Sequence, residues 1–319
     1  MKPAPLKPIY LVAPSGASPD LSSPKAAIAW LQQQGYVIHN AECIERVEQR
    51  FAGADTQRLA ELNDVSSLPR DYVVLGMRGG YGLHRLLPKI DWDALAKAVQ
   101  GGLQICGHSD LTVLQLGLLA KTGAISLAGP MLNYDFGRHD EMGQVIDPDP
   151  FMWEHFQRAI QEHLLDCQVK HSQVFLGTKS VGSLSGILWG GNLTILAGLL
   201  GTPYMPSAVQ TQGGILFLED VNEHPYRIER MLMQLLDAGI LANQSAILLG
   251  GFSAYRLYDH DRGYNLEAAI EMIRSRLSLS IPILTDLPFG HQAQKLTLPV
   301  GALAQLAYDA NGFSLQSSW

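Results

Sequence analysis

Charge is sparse in this chain: Asp, Glu, Lys and Arg make up only 17% of 319 residues, against about 25% in an ordinary soluble domain. The 23 basic residues are scattered, and no Lys/Arg run gathers them into one patch. Neutralising a phosphate backbone needs such a patch, so nucleic acid is excluded as the main partner. The balance against 30 acidic residues leaves a net charge of −7, which names no substrate. Cysteine is scarce too. Cys43, Cys106 and Cys167 are odd in number and far apart, with no C-x-x-C pair, which argues against a zinc knuckle or a redox dithiol and predicts three inert thiols. Nowhere do about 18 apolar residues follow one another, the run a membrane-spanning helix requires. The opening MKPAPLKPIYLVAPSG lacks the uninterrupted apolar stretch and cleavage site of a secretory signal. These absences predict a cytoplasmic protein with no membrane partner. Metal chemistry lacks its motifs as well: there is no H-E-x-x-H, and Glu154-His155, Glu162-His163, His139-Asp140-Glu141 and Asp259-His260-Asp261 are polar clusters without a complete ligand set. No metal and no other cofactor is expected.

Apolar residues, by contrast, make up 47% of the chain, enough to bury a large core, and the length suits either two domains or one large α/β domain. The pattern alternates. Pro8 to Ala13 reads as a short strand, and a helix follows, with Ser23 as N-cap, Pro24 at its first position and Gly35 as its stop. An extended segment from Tyr36, a helix over Thr56 to Asn63, a strand over Tyr72 to Leu75 and another over Leu103 to Cys106 continue the series. Leu111, Leu114, Leu118 and Leu119 then recur at helical spacing up to Gly123. Between Arg138 and about Lys179 the pattern weakens, apart from a helix predicted over Phe151 to Leu165. Strands are predicted again at Gly186 to Trp189, Gly214 to Leu218, Ala246 to Ser253 and Ile281 to Thr285, with a helix over Pro225 to Ala238. The expectation is an α/β protein of two domains: a Rossmann-like or flavodoxin-like domain over 1–140, a crossover over 141–179, and over 180–319 a domain with a β-sheet core and flanking helices.

Four places can carry chemistry. Ser109 sits at a strand-to-helix corner, where its hydroxyl is exposed and the Asp110 amide faces the same space. The pentapeptide GHSDL matches only the first half of G-x-S-x-G, and the same serine can simply cap the helix. A nucleophilic serine needs a base and an acid that orients it. His108 adjoins the serine and projects elsewhere at so sharp a corner, whereas His291 lies on a loop in DLPFGHQ, where functional groups are often presented. Glu219 and Asp220 both end the strand GGILFL, and spacing does not choose between them. Finally, four glycines surround Arg78 and Tyr81 in GMRGGYG, which marks a sharp turn or a close backbone approach and fits neither a dinucleotide fingerprint nor a P-loop.

Taken together, RGGYG at 78–82, GHSDLT at 107–112, WGGNLTIL at 189–196, FLEDVNEHPYRIERML at 217–232 and LPFGH at 287–291 resemble, in order and over nearly the whole chain, the LD-carboxypeptidase family. That family includes murein tetrapeptide carboxypeptidases and microcin C self-immunity peptidases. The resemblance implies a Ser-Glu-His triad at Ser109, Glu219 and His291, split between two domains, and thereby selects Glu219 over Asp220. It implies an oxyanion hole made by the Asp110 amide and the Gly79-Gly80 turn, and a homodimer. The implied reaction is release of terminal D-alanine from murein tetrapeptide during peptidoglycan recycling. Arg78, beside the glycine turn, is the nominee for binding the substrate's carboxylate, because a guanidinium pairs with it bidentately. One departure is His108, where the family often has an aromatic. The alternatives are a microcin-type immunity peptidase with the same triad, a non-catalytic murein-peptide binder with Ser109 as a cap, and a general α/β esterase or amidase.

Overall fold

A computed structural model of the chain describes residues 6–170, the backbone of 174–175, and residues 181–319. Its first sheet contains β1 (Ile9–Val12), β2 (Ile38–His39), β3 (Val73–Gly76), β4 (Gln104–Gly107) and β5 (Ser126–Ala128), with a sixth strand from far along the chain. These five strands are parallel in the order β2-β1-β3-β4-β5, the flavodoxin-like order expected of a doubly wound domain. Residues of β1, β3 and β4 are buried almost throughout, as continuous apolar runs covered on both faces must be. Around them lie helices α1 (Ser22–Gln33), α2 (Asp55–Asp64), α3 (Trp92–Gln100) and α4 (Thr112–Thr122). Two local expectations shift. Helix α1 starts at Ser22, and Asp20 Oδ1 rather than the Ser23 hydroxyl accepts from the amides of Ser22 (2.9 Å) and Ser23 (3.2 Å). Gly35, at φ +91°, does end that helix region.

Helix α5 (Pro150–Glu162) is capped by Asp149 and stops at His163, which takes a left-handed conformation (φ +53°). The helix predicted to reach Leu165 is therefore shorter, and LLDCQVK becomes strand β6 (Leu164–Lys170), with alternate residues buried. The segment expected as a plain crossover thus divides. Met152, Phe156 and Ile160 of α5 join the first sheet's core with Leu31 and Phe136, while β6 joins the second sheet.

That second sheet runs β6-β14-β13-β8-β9-β10-β11-β7, with β7 (Val174–Phe175), β8 (Gly182–Asn192), β9 (Ile215–Val221), β10 (Ala246–Ser253), β11 (Ile283–Leu284), β13 (Leu303–Asp309) and β14 (Gly312–Ser318). From β6 to β8 it is antiparallel, and from β8 to β11 parallel. Helices α6 (Leu193–Gly198), α7 (Pro225–Asp237) and α8 (Leu266–Arg276) complete this half. The halves are not strung in simple series. Strand β12 (Leu298–Val300) returns from the C-terminal half to pair antiparallel with β5, and buried residues of α4, β8, β9 and β12 form one continuous apolar core. A shared core of this kind holds the carboxyl ends of both sets of parallel strands in fixed relation.

Candidate active site

In open α/β sheets ligands collect outside the carboxyl ends of the strands, where the order reverses. Here β1 and β3 end in Pro14–Gly16 and Arg78–Gly80, and β4 ends at His108 and Ser109. In the other half β8 ends at Asn192, β9 runs through Glu219 and Asp220, and the loop beyond β11 carries His291. Ser109, Gly79, Gly80, Asn192, Asp220 and His291 line one cavity of about 820 Å³.

Ser109 takes φ +59°, a left-handed conformation that a non-glycine residue rarely adopts, and strain of about 1–3 kcal/mol at such a position persists only where the surroundings enforce it. The enforcement is visible. Gln115 donates to the carbonyls of Gly107 (2.8 Å) and Leu127 (2.7 Å), fixing the end of β4. The buried Asp110 side chain accepts from the Ser15 hydroxyl (2.6 Å) and the Leu83 amide (3.0 Å), tying the corner to the loops after β1 and β3; burial raises its carboxyl pKa above the ordinary value. Facing the serine, Gly79 has no room for a side chain: a Cβ there would stand 2.6 Å from Ser109 Oγ and 3.1 Å from the Asp110 amide nitrogen. The missing side chain leaves free the space in front of the hydroxyl and the helix's first amides. The Gly79 carbonyl accepts from the Gly16 amide (3.1 Å), which anchors the turn.

His291 Nδ1 lies 2.8 Å from Glu219 Oε2, and Glu219 is fully buried. Asn192 Nδ2 donates to Glu219 Oε1 (3.0 Å), so both carboxylate oxygens are engaged. Gly290 permits the approach: it adopts φ +127°, and a Cβ would press within 3.1 Å of Glu219 Oε2. The loop bearing His291 is closed by the Leu296 amide donating to the Pro288 carbonyl (2.7 Å). Asp220 does different work, accepting from the Thr194 amide and hydroxyl (both 2.8 Å) and capping the start of α6. Geometry thus distinguishes the two neighbouring acids that spacing left open. The halves meet beside the serine, where the Asn192 amide donates to Thr112 Oγ1 (3.2 Å).

Sequence reasoning missed a second buried cluster. His108 Nδ1 lies 2.9 Å from the Gly129 carbonyl, so this nitrogen carries the proton, and Nε2 is left to accept from Lys295 Nζ at 3.3 Å. Lys295 in turn pairs with Asp135 Oδ1 at 2.7 Å, and Asp135 Oδ2 accepts from the Met131 amide (2.8 Å). Burial, with Lys295 and His291 nearby, holds the His108 pKa well below the usual imidazole value. His108 is therefore neutral, with its remaining lone pair already engaged, and cannot serve as base. The signal was a lone lysine directly before the apolar run LTLPVG and an aspartate in LNYDF.

Arg50, Arg78 and Arg138 also border the cavity, and none has a carboxylate within ion-pair distance among the described residues. Arg78 donates to the Ala17 carbonyl and stands over the Tyr134 ring. The three cysteines are free and buried, and burial raises their thiols, that of Cys167 to about 11. Among the described residues no helix is long and apolar enough to cross a membrane, and no group of three or more His, Cys, Asp or Glu is placed to hold a metal ion.

Comparison with known proteins bears on the same regions. Residues 9–129 match the LD-carboxypeptidase N-terminal domain and residues 185–306 the C-terminal domain. The murein tetrapeptide carboxypeptidase of Pseudomonas aeruginosa is 31% identical over 308 residues, covering 93% of this chain and 92% of that protein. The microcin C7 self-immunity protein MccF of Escherichia coli is 26% identical over 314 residues, covering 92% and 87%. The crystal structure of muramoyltetrapeptide carboxypeptidase from Oxalobacter formigenes superposes with a TM-score of 0.85 at 41% identity, over 98% of each chain. With both domain models matched in order and relatives similar over nearly their full length, the chain belongs to the LD-carboxypeptidase family.

Proposed function

We propose that the protein is a serine peptidase that releases the terminal D-alanine of murein tetrapeptide in the cytoplasm, as a step in peptidoglycan recycling. The observation that carries this reading is the convergence on one cavity of a serine in a strained left-handed corner and a histidine bonded at 2.8 Å to a buried carboxylate. Glu219 holds the proton of His291 on Nδ1 and leaves Nε2 free to accept one. As Ser109 Oγ attacks the carbonyl carbon of the last peptide bond, His291 takes the hydroxyl proton. The charge that develops on the carbonyl oxygen is received by the Asp110 amide and an amide of the Gly79-Gly80 turn, each worth on the order of 3 kcal/mol in the transition state. When the C–N bond breaks, His291 passes the proton to the departing amine. Water, deprotonated by the same imidazole, then attacks the ester carbonyl, and Ser109 regains its proton as the shortened peptide leaves.

Arg78, Arg50 and Arg138, which face no carboxylate among the described residues, suit a peptide bearing several free carboxylates, as murein stem peptides do. Ser109→Ala tests the reading: the purified variant should melt like the parent yet release no D-alanine from tetrapeptide, measured by chromatography of the products. Undiminished release would remove Ser109 from the nucleophile's role. A parallel assay on an aminoacyl-adenylate analogue should show far weaker turnover; the reverse preference would move the protein to the immunity branch.

A further inference from the structure

We propose that Lys295 binds the terminal carboxylate of the substrate and so restricts cleavage to the last peptide bond; this rests on the carboxypeptidase reading above. Lys295 is 1% exposed, yet it borders the cavity beside His108 and Ser109. An ammonium carries three N–H donors. Asp135 Oδ1 takes one at 2.7 Å and His108 Nε2 another at 3.3 Å. The third has no acceptor among the described residues. A buried lysine with an open donor at a cavity wall is a preset site for one anionic oxygen.

Position singles out this cation. In a substrate cleaved at its last bond, only the amide nitrogen and one Cα separate the scissile carbon from the terminal carboxylate. The recognising charge must therefore stand next to the reacting groups. Lys295 touches His108, the residue preceding Ser109, whose ring centroid is 5.0 Å from that of His291. Arg50 is exposed, and Arg78 is turned toward the Ala17 carbonyl and Tyr134. Those guanidinium groups fit the carboxylates further up the stem peptide.

The energetics agree. A buried ion pair is commonly replaceable by apolar side chains without loss of stability, so the Lys295–Asp135 pair has no need to exist for folding alone. As a receptor its value is that the ammonium is already desolvated and held in place, with Asp135 anchored by the Met131 amide and His108 by the Gly129 carbonyl. Little rearrangement remains when a carboxylate arrives.

The test compares tetrapeptide ending in D-alanine with the same peptide ending in D-alaninamide. The parent protein should favour the free acid by about 100-fold in kcat/KM, the scale of one charge-assisted hydrogen bond in a desolvated site. In Lys295→Met/Asp135→Asn, which removes both charges together, the preference should shrink to within about threefold, mainly by loss of the free-acid rate. Arg78→Gln should keep the preference. A folded double variant that still prefers the free acid overturns the proposal, as does loss of the preference in Arg78→Gln alone. Should the double variant fail to fold, a crystal structure of Ser109→Ala with bound tetrapeptide decides: a terminal carboxylate oxygen about 3 Å from Lys295 Nζ is expected, and a carboxylate seated on an arginine refutes it. If the parent turns over neither peptide, the carboxypeptidase reading itself has failed, and that result is distinct from all of these.

Discussion

Two histidines whose rings lie 5.0 Å apart border the same cavity, and their surroundings give them opposite characters. His291 faces a buried carboxylate, Glu219, whose Oε2 lies 2.8 Å from Nδ1 and fixes the orientation of the ring. His108 faces a buried ammonium, Lys295, and is desolvated, which keeps it neutral. In the mechanism proposed above His291 accepts a proton during the reaction, whereas His108, neutral and with its lone pair engaged, does not. What distinguishes them is their partners: a loop clipped against Glu219 on one side, a hydrogen-bonded relay through Lys295 and the Gly129 carbonyl on the other.

The sharpest way to break this contrast is Glu219→Gln. We expect kcat to fall by about 10³–10⁴, as when a triad loses the group that sets its tautomer. Asp220 makes no direct bond to His291 and reaches Glu219 only through the shared Asn192 amide, so Asp220→Asn should cost far less turnover and show chiefly as a lower melting temperature. Steady-state kinetics with calorimetry on both variants separates them. Gly290→Ala comes next. With φ at +127° and Glu219 Oε2 3.1 Å from the added methyl, the loop must shift, and since a misplacement of about 1 Å can cost about 100-fold in rate, kcat should fall with little change in KM. His108→Phe should be milder for catalysis, within about tenfold of the parent, but should lower stability by about 1–3 kcal/mol, because Lys295 and the Gly129 carbonyl lose a buried partner. If His108→Phe proved as damaging to kcat as Glu219→Gln, the inert role given to His108 would be wrong.

The smallest effect is on pH dependence. Because burial lowers the folded-state pKa of His108, and those of His155 and His163 in the same sense, the unfolded chain binds more protons than the native one below about pH 6.5. Stability should therefore be full above that pH and decline on acidification, by at most about 1.4 kcal/mol per pH unit for each such group. Urea unfolding at pH 7.5 and 5.5 measures the decline, and His108→Phe should flatten it in part.

Much of the frame was legible in the residues. Continuous apolar runs at Ile9–Val12, Val73–Gly76 and Ala246–Ser253 can only be buried parallel strands once they alternate with helices, and Gly123 marks the end of α4 by its left-handed turn. The antiparallel share of the second sheet was not read, although LAQLAYD in β13 alternates cleanly. Its pairing with β8 is long-range, although the hairpin to β14 carries its own turn signal in Asn311-Gly312. Helix α8 was missed because its buried face comprises only Ala269, Ile270 and Ile273. At the site, Ser109 and His291 stood out by position, whereas the choice of Glu219 over Asp220 needed either the family resemblance or the side-chain directions. Lys295, His108 and Asp135 come from three separate segments, and nothing local announces that the lysine before LTLPVG meets the aspartate in LNYDF.

The return of β12 to the first sheet has a consequence for how the molecule can be divided. Seven residues after His291 the chain is hydrogen-bonded to β5, so an N-terminal fragment ending near residue 140 would present Ser126–Ala128 as a bare, flat, apolar edge. Such edges recruit other strands and aggregate. Expressed separately, the halves should be insoluble or unfolded; coexpressed, they should recombine by strand complementation, with the C-terminal piece donating Leu298–Val300 as the missing edge.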